Sequence, residues 1–379
     1  MLSEPTYLAA RMVAPVIETH FAQHRALASQ HDIPHLAPPP EVPLVEAIID
    51  VAFWASLRRE EGRPPKISLA LLQPDQTAQP LIFGHRRRLT PSNLIKLAPA
   101  VEQPGTHLGV WHDEDGLYVW GTATSVPPLC FVLEVIEPGL LVAKHRRADG
   151  FGKFINVAIL RGDQIQVVDE DNAGVADCPA LRKSLQSFTL PSTGQSDNVL
   201  VELAAAMRTH GRGGLVLIVP PDSERWRTSI VQPMSYPVVP AYTTITEVLS
   251  QKPTNKDSLE WQETLLRAID IVGGFTAVDG ATVITRQYHL LAFGAKVTRA
   301  ASSVPVEKMV MTAPVVGGEA QEMHPAQNGG TRHLAAAQFV HDQHDALALV
   351  ASQDGYFTVF AWSEPLQMVH AHRIDVLLL

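Results

Sequence analysis

Apolar and polar positions along the chain follow three regimes. In the first, Leu8, Met12, Val16, Ile17 and Phe21 recur at helical spacing until Pro34 and Pro38-Pro39-Pro40 end the segment. This predicts a helical arm over 1–40, packed on its own body or bridging two copies. From about Glu41 the pattern shifts to short strands. A helix over 44–57 precedes apolar runs at 67–72, 107–111, 117–121, 130–136, 140–144, 154–160 and 165–168. Asp115-Gly116, Pro138-Gly139 and Gly162-Asp163 stand between neighbouring runs, where hairpin turns belong. Closely spaced strands with tight turns predict a mostly antiparallel sheet backed by one or two helices, over 41–190.

The third regime follows a linker-like Pro191–Gln195. A helix beginning near Asp197 presents Val199, Leu200, Leu203, Ala204 and Met207 on one face and stops at Gly211. Gly213-Gly214 then feeds a wholly apolar run, 215–219, which reads as a central strand. Residues 224–255 are Pro-rich and poorly periodic. A helix over 258–272 follows, with Asp257 as its cap and Glu260 three residues on. Strands are expected at 282–285, 289–293, 347–351 and 356–361, and a helix at 332–340. The composition of 298–328 is that of a mobile insertion. Helices alternating with a mixed sheet make 196–379 an α/β domain, and the whole chain α+β.

Composition narrows the class. The chain has 379 residues, 46% hydrophobic and 18% charged, enough for two domains with real cores. No apolar run approaches a membrane span, and no basic region followed by an apolar core opens the chain. Cys130 and Cys178 make no disulfide framework, so a cytoplasmic, soluble protein is expected. The net charge of −9 argues against broad nucleic-acid binding. The dense basic run at 85–88 reads as a solvated loop.

Candidate chemistry gathers in the last regime. Asp279-Gly280-Ala281 delivers a carboxylate through a turn into a β-rich run. Gly329-Gly330-Thr331-Arg332-His333 places glycines, a hydroxyl, a guanidinium and an imidazole where a loop enters a helix. Consecutive N–H groups there can cradle an anion, with Arg332 as a forked donor. Taken singly, the first is also an ordinary turn and the second an ordinary helix start with a solvated charge.

In order and spacing, the two pieces and the following Asp345–Ser352 segment resemble the diadenylate cyclase (DisA N-terminal type) domain. That family carries DGA, then GTRHR-A-A, then a strand of the type SDAVVIVVS; this chain reads DGA, GTRHL-A-A and HDALALVAS. The resemblance implies condensation of two ATP into cyclic di-AMP plus pyrophosphate, with Mg²⁺ or Mn²⁺ as cofactor. It implies Asp279, Arg332 and His333 as catalytic residues, with Asp279 holding the metal and the attacking hydroxyl. Gly280, Ala281, Gly330, Thr331, Arg332, His333 and Ser352 would bind nucleotide. Because one domain binds one ATP, it also implies a face-to-face homodimer. The 41–190 segment, through Gly116-Leu117-Tyr118-Val119-Trp120-Gly121, resembles the probable sensor domain of the DACNV type found ahead of some cyclase domains. A sensor-gated cyclase follows, with a catalytically impaired receptor for ATP or cyclic di-AMP as the alternative.

Three departures bear on that choice. Leu334 stands where the family's second arginine belongs, Gln353 where many members carry glutamate, and Val278 where a histidine often stands. Elsewhere, Trp111 and Trp120 flank a turn and could stack a ligand or fill the sheet core. His341-Asp342-Gln343-His344-Asp345 resembles a metal site by spacing but reads as a surface turn. The sixteen histidines show no HExxH arrangement, so a zinc hydrolase or structural zinc site is not expected.

Overall fold

The computed structural model describes residues 6–30, 33, 35–147, 154–169, 173–189, 199–251, 259–327 and 329–379. Contacts divide the chain into two units, Met1–Val168 with Leu379, and Asp169–Leu378. The expected linker, the helix start near Asp197 and the Asp257 cap lie outside the described residues.

The first unit opens with α1 (Leu8–Gln30) and α2 (Val42–Ser56). α1 packs on α2 and buries Val13, Ala14, Ile17 and Phe21 in the unit's core. Leu8, Met12 and Val16 remain exposed, although their spacing groups them with Ile17 and Phe21. The buried stripe is completed instead by Ala9, Ala10 and Ala14, which a search for large apolar residues overlooks. Next come β1 (Ile67–Leu71), β2 (Leu81–Arg88), α3 (Pro91–Leu97), β3 (His107–Asp113) and β4 (Gly116–Ala123). β5 (Phe131–Glu137), β6 (Leu140–Arg146), β7 (Phe154–Arg161) and β8 (Gln164–Val167) complete the unit.

Among the described residues these strands form one sheet in the order β2-β4-β3-β1-β5-β6-β7-β8. All neighbours are antiparallel except β1 and β3. The three expected hairpins are present, closing Asp113 on Gly116, Glu137 on Leu140 and Arg161 on Gln164. The basic run at 85–88 is not a loop. It lies in β2, an edge strand exposed along most of its length, where Arg86 pairs with Asp113 and covers the Tyr118 ring. With neither face buried, β2 lacks the apolar alternation by which strands are read. Trp120 is a core residue whose indole donates to the Leu72 carbonyl at 2.7 Å. A Cβ on Gly109 would lie 2.1 Å from that indole, so the glycine makes room for it.

The second unit begins with α4 (Pro179–Thr189), α5 (Val199–Thr209), β9 (Gly214–Val219), β10 (Tyr236–Tyr242) and α6 (Thr244–Ser250). Then follow α7 (Leu259–Phe275), β11 (Ala281–Thr285), β12 (Leu290–Ala295), β13 (Met309–Thr312) and β14 (Gln321–Met323). α8 (Thr331–Asp342), β15 (Leu347–Ala351), β16 (Phe357–Ser363) and β17 (Met368–Arg373) end it. The sheet order is β10-β12-β11-β9-β15-β16-β17-β13-β14, with β9–β11 and β13–β17 parallel and the rest antiparallel.

β9 is buried on both faces, as its unbroken apolar run predicts. Val216 and Ile218 meet Leu203 and Met207 of α5 and Ile269 and Val272 of α7. Leu215, Leu217 and Val219 meet Ala336, Phe339 and Val340 of α8. The first of these cores also contains Val175, Cys178, Leu181 and Leu185, so it reaches back before the expected start at 196.

The 298–328 stretch is not an unstructured insertion. It supplies β13, whose Met309 is fully buried, and β14. The chain before β13 is stapled to α8: Asp342 accepts from Ala300 N at 2.7 Å, Ser303 Oγ at 2.5 Å and Gln338 Nε2 at 2.7 Å. Strands of three or four residues are too short to leave a periodic signature.

Candidate functional site

The sequence motifs meet at one end of the second sheet. β11 and β9 run parallel with Ala281 beside Leu215, while antiparallel β15 brings Ala351 beside Gly214. The turn before β11, the turn before β9 and the turn after β15 therefore share that end. β11 and β15 are two strands apart, so Ala281 and Ala351 stand roughly 10 Å from each other.

Asp279 is exposed at this end. Gly280 has φ +106°, and a Cβ built on it would lie 2.6 Å from the carbonyl carbon of Gly294. Its missing side chain thus serves backbone packing against β12. Ala281 is fully buried and can reach a ligand only through its backbone. Beside the turn, Tyr236, Phe293 and Phe275 form a stack: Phe293 lies 4.9 Å from Tyr236 and 4.5 Å from Phe275 between ring centroids. Tyr236 is 51% exposed, so one face of the stack is open to a planar group.

α8 starts at the same end, with Gly330 as its first flanking residue and Thr331 exposed in its first turn. The opening N–H groups of such a helix have no carbonyl one turn back and can face an anion. Arg332 lies over Gly213: a Cβ there would be 3.0 Å from its Nη1 and 3.1 Å from the Ala351 carbonyl oxygen. Gly213 also has φ +72°, so conformation and space both call for glycine. His333 turns inward, 5% exposed, edge-on to Phe360 and directly beneath Gly329. Burial, then the Arg332 charge, lower its pKa, so it is neutral at physiological pH. Leu334 is 39% exposed.

Ser352 is half-buried and accepts from Asp354 N at 3.2 Å, which shapes the turn after β15. Gln353 donates to the Arg212 carbonyl at 3.2 Å. His210, which no sequence motif marks, joins the group. The Thr276 hydroxyl donates to Gly273 O at 2.6 Å and therefore accepts from His210 Nε2 at 3.0 Å. That leaves His210 Nδ1 to accept Arg212 N–H at 3.1 Å. The ring is neutral, its pKa lowered by burial and then by Arg212 and Arg332.

The His341–Asp345 run is divided among separate contacts. Asp342 forms the staple described above, Gln343 is buried against Ser229 at 2.9 Å, and His344 stacks on Trp362 at 3.7 Å.

The first unit holds a cavity of about 410 Å³, lined among others by Lys66, Ser68, His107, Glu134, Lys144 and Phe154. Glu134 pairs with Lys144 at 2.5 Å, and Lys144 lies over the Phe154 ring at 5.0 Å. Ser68 Oγ is 2.7 Å from His107 Nδ1. Burial pushes the His107 pKa down to about 4, against a smaller upward pull from Glu134. The wall is largely apolar, with Ile67, Val101, Val135 and Phe154 around one compact ion pair and a neutral imidazole that could orient a small ligand.

Residues 34–124 match the family described as probable sensor domain DACNV. The DACNV match spans α2 to β4, including Ser68 and His107 of the cavity, and lies wholly within the first unit. No curated protein matches the chain. Among the described residues, no helix is long and apolar enough to cross a membrane.

Proposed function

We propose that the second unit is a diadenylate cyclase-type nucleotidyltransferase, joining two ATP molecules into cyclic di-AMP with release of pyrophosphate. The DACNV-containing unit is the sensor that gates it, with the 410 Å³ cavity as its ligand pocket. The observation that carries this reading is convergence: Asp279 before β11, Ser352 after β15 and Arg332 on α8, far apart in sequence, lie at one end of the second sheet.

In the reaction, the 3′-hydroxyl of each ATP gives up its proton to solvent as its oxygen bonds to the α-phosphorus of the other. The bond from each α-phosphorus to its pyrophosphate breaks, so that two pyrophosphates leave. Such transfer depends on alignment and charge neutralisation more than on covalent help. Thr331 and Arg332 serve the phosphates, while His333 supports the Gly329-Gly330 loop from below. Tyr236 offers the adenine a stacking face. Asp279, exposed at the sheet end, fits a divalent ion, because Mg²⁺ sites combine one or two carboxylates with substrate phosphates and water. Mg²⁺ or Mn²⁺, when bound, supplies Lewis-acid stabilisation of the leaving pyrophosphate. One sheet end holds one ATP, so two copies must meet face to face. A substrate of this kind is met in the cytoplasm.

A second reading, a receptor for ATP or cyclic di-AMP without turnover, is favoured by Leu334 and Gln353. The first contributes no charge from the opening turn of α8, and the second is a neutral amide tied to Arg212. Incubating the full chain with ATP and Mg²⁺ or Mn²⁺, then resolving products by mass, separates the two. Cyclic di-AMP is expected. An ATP-dependent rise in melting temperature without product would favour the receptor, and the absence of both product and melting shift would sink both readings.

A further inference from the structure

We propose that the first unit carries a transition-metal site of the Zn²⁺ class, built from His20, His24 and His145. His20 and His24 are one helical turn apart on α1, so their rings lie one above the other, 4.2 Å between centroids. His145 comes from β6 and faces both, at 5.3 Å from His20 and 5.2 Å from His24. One ring nitrogen of each residue lies within 4.8 Å of the other two. Three nitrogens around a tetrahedral Zn²⁺ sit about 3.3 Å apart at ordinary bond lengths, so binding would draw the three rings closer together.

The surroundings suit such an ion. His145 is buried, and its Nδ1 is 3.0 Å from the Arg146 carbonyl oxygen. A carbonyl can only accept, so Nδ1 carries the proton and Nε2 keeps the lone pair a metal needs. Phe21 packs edge-on against the His145 ring at 5.4 Å and walls one side. An all-imidazole set selects Zn²⁺ and its neighbours over Mg²⁺ and Ca²⁺, which prefer oxygen. Three ligands leave a fourth position for water or another ligand. The ion would clamp α1 to β6. It lies across β6 from the cavity, since Lys144 of that strand lines the cavity while the adjacent His145 faces α1. None of the three histidines falls within the DACNV match, and the inference is independent of the cyclase reading.

The test uses the full chain, stripped with a chelator and titrated with Zn²⁺, Co²⁺ or Mg²⁺. One equivalent of Zn²⁺ should bind and raise the melting temperature. Co²⁺ should give the visible absorption of a tetrahedral site, and Mg²⁺ should do neither. His20→Ala and His24→Ala, both at half-buried positions, should keep the metal-free fold by circular dichroism. Each should lose at least about tenfold in Zn²⁺ affinity, the loss that even outer partners of a ligating histidine produce. His344→Ala should leave binding unchanged. Absence of Zn²⁺ binding by the stripped chain overturns the proposal. So does affinity that survives in whichever of the His20 and His24 variants folds, or that disappears with His344.

Discussion

The two units handle polar groups in opposite ways. Around the first unit's cavity, Ser68, His107, Glu134 and Lys144 satisfy one another within the wall. At the end of the second sheet, Asp279 and Thr331 face solvent, and glycines at 213, 280 and 294 hold the backbone close. A pre-satisfied wall admits a small molecule at little cost. An open end with donors and a carboxylate leaves those groups to be satisfied by solvent or, on the proposed reading, by a nucleotide with its ion and a second copy. On the proposed reading, a ligand of the first unit meets groups already paired with one another, and a ligand of the second meets groups that solvent now covers.

The contrast can be broken first at the level of the fold. A fragment starting at residue 196 would strip Val175, Cys178, Leu181 and Leu185 from the second core, all nearly inaccessible to solvent. Each such side chain contributes roughly 1.5–3 kcal/mol, a loss comparable with the whole stability of a domain, about 5–15 kcal/mol. That fragment should not unfold cooperatively in a thermal melt, whereas one starting at 169 should.

Asp279→Asn comes next. It should lower cyclic di-AMP formation by about a hundredfold or more while ATP still raises the melting temperature. Unchanged product yield would remove Asp279 from the chemistry. Gly280→Ala places a methyl 2.6 Å from backbone at φ +106°, and should cost roughly 2–4 kcal/mol in denaturant unfolding. A neutral outcome would mean that the β11–β12 contact is looser than described.

Acid should act on both units. Burial lowers the pKa of His107 to about 4, of His370 to about 4 and of His372 to about 3. The unfolded chain then binds more protons than the folded one between pH 6.5 and these values. Stability is full above about pH 6.5 and falls as pH drops toward 4 and below, by on the order of 1–3 kcal/mol per histidine. Denaturant midpoints measured from pH 7 to 4 should decline. His107→Asn should flatten the first unit's share of that decline.

The smallest effect is the most informative about the open end. Leu334 is 39% exposed in the first turn of α8, so Leu334→Arg should fold and should raise cyclic di-AMP formation by roughly tenfold. A stable, ATP-binding variant with no gain would favour the receptor.

Much of this architecture was legible in the chain itself. Three hairpin turns, the central strand at 215–219, the strand at 347–351 and the helix behind Gly330 all follow from local rules of turn chemistry and periodicity. The motif residues at 279 and 332 were visible as types and spacings. Their surroundings were not, because Gly213, His210, Tyr236 and Phe293 reach the site through strand register and helix docking.

Elements without apolar alternation also escaped. β2 is exposed on both faces, β13 and β14 are too short, and β17 carries His370 and His372 inward, where Thr312 bonds them at 2.8 and 2.6 Å. The histidines on α1 make the point most clearly. The helical pattern sets His20 and His24 one above the other by itself, since four residues make about one turn. The third ring, His145, reaches them only when β6 takes its place in the sheet and α1 docks against it. Local periodicity determines which residues share a face. Which face meets which is decided by burial across the whole unit, and no window along the chain contains that information.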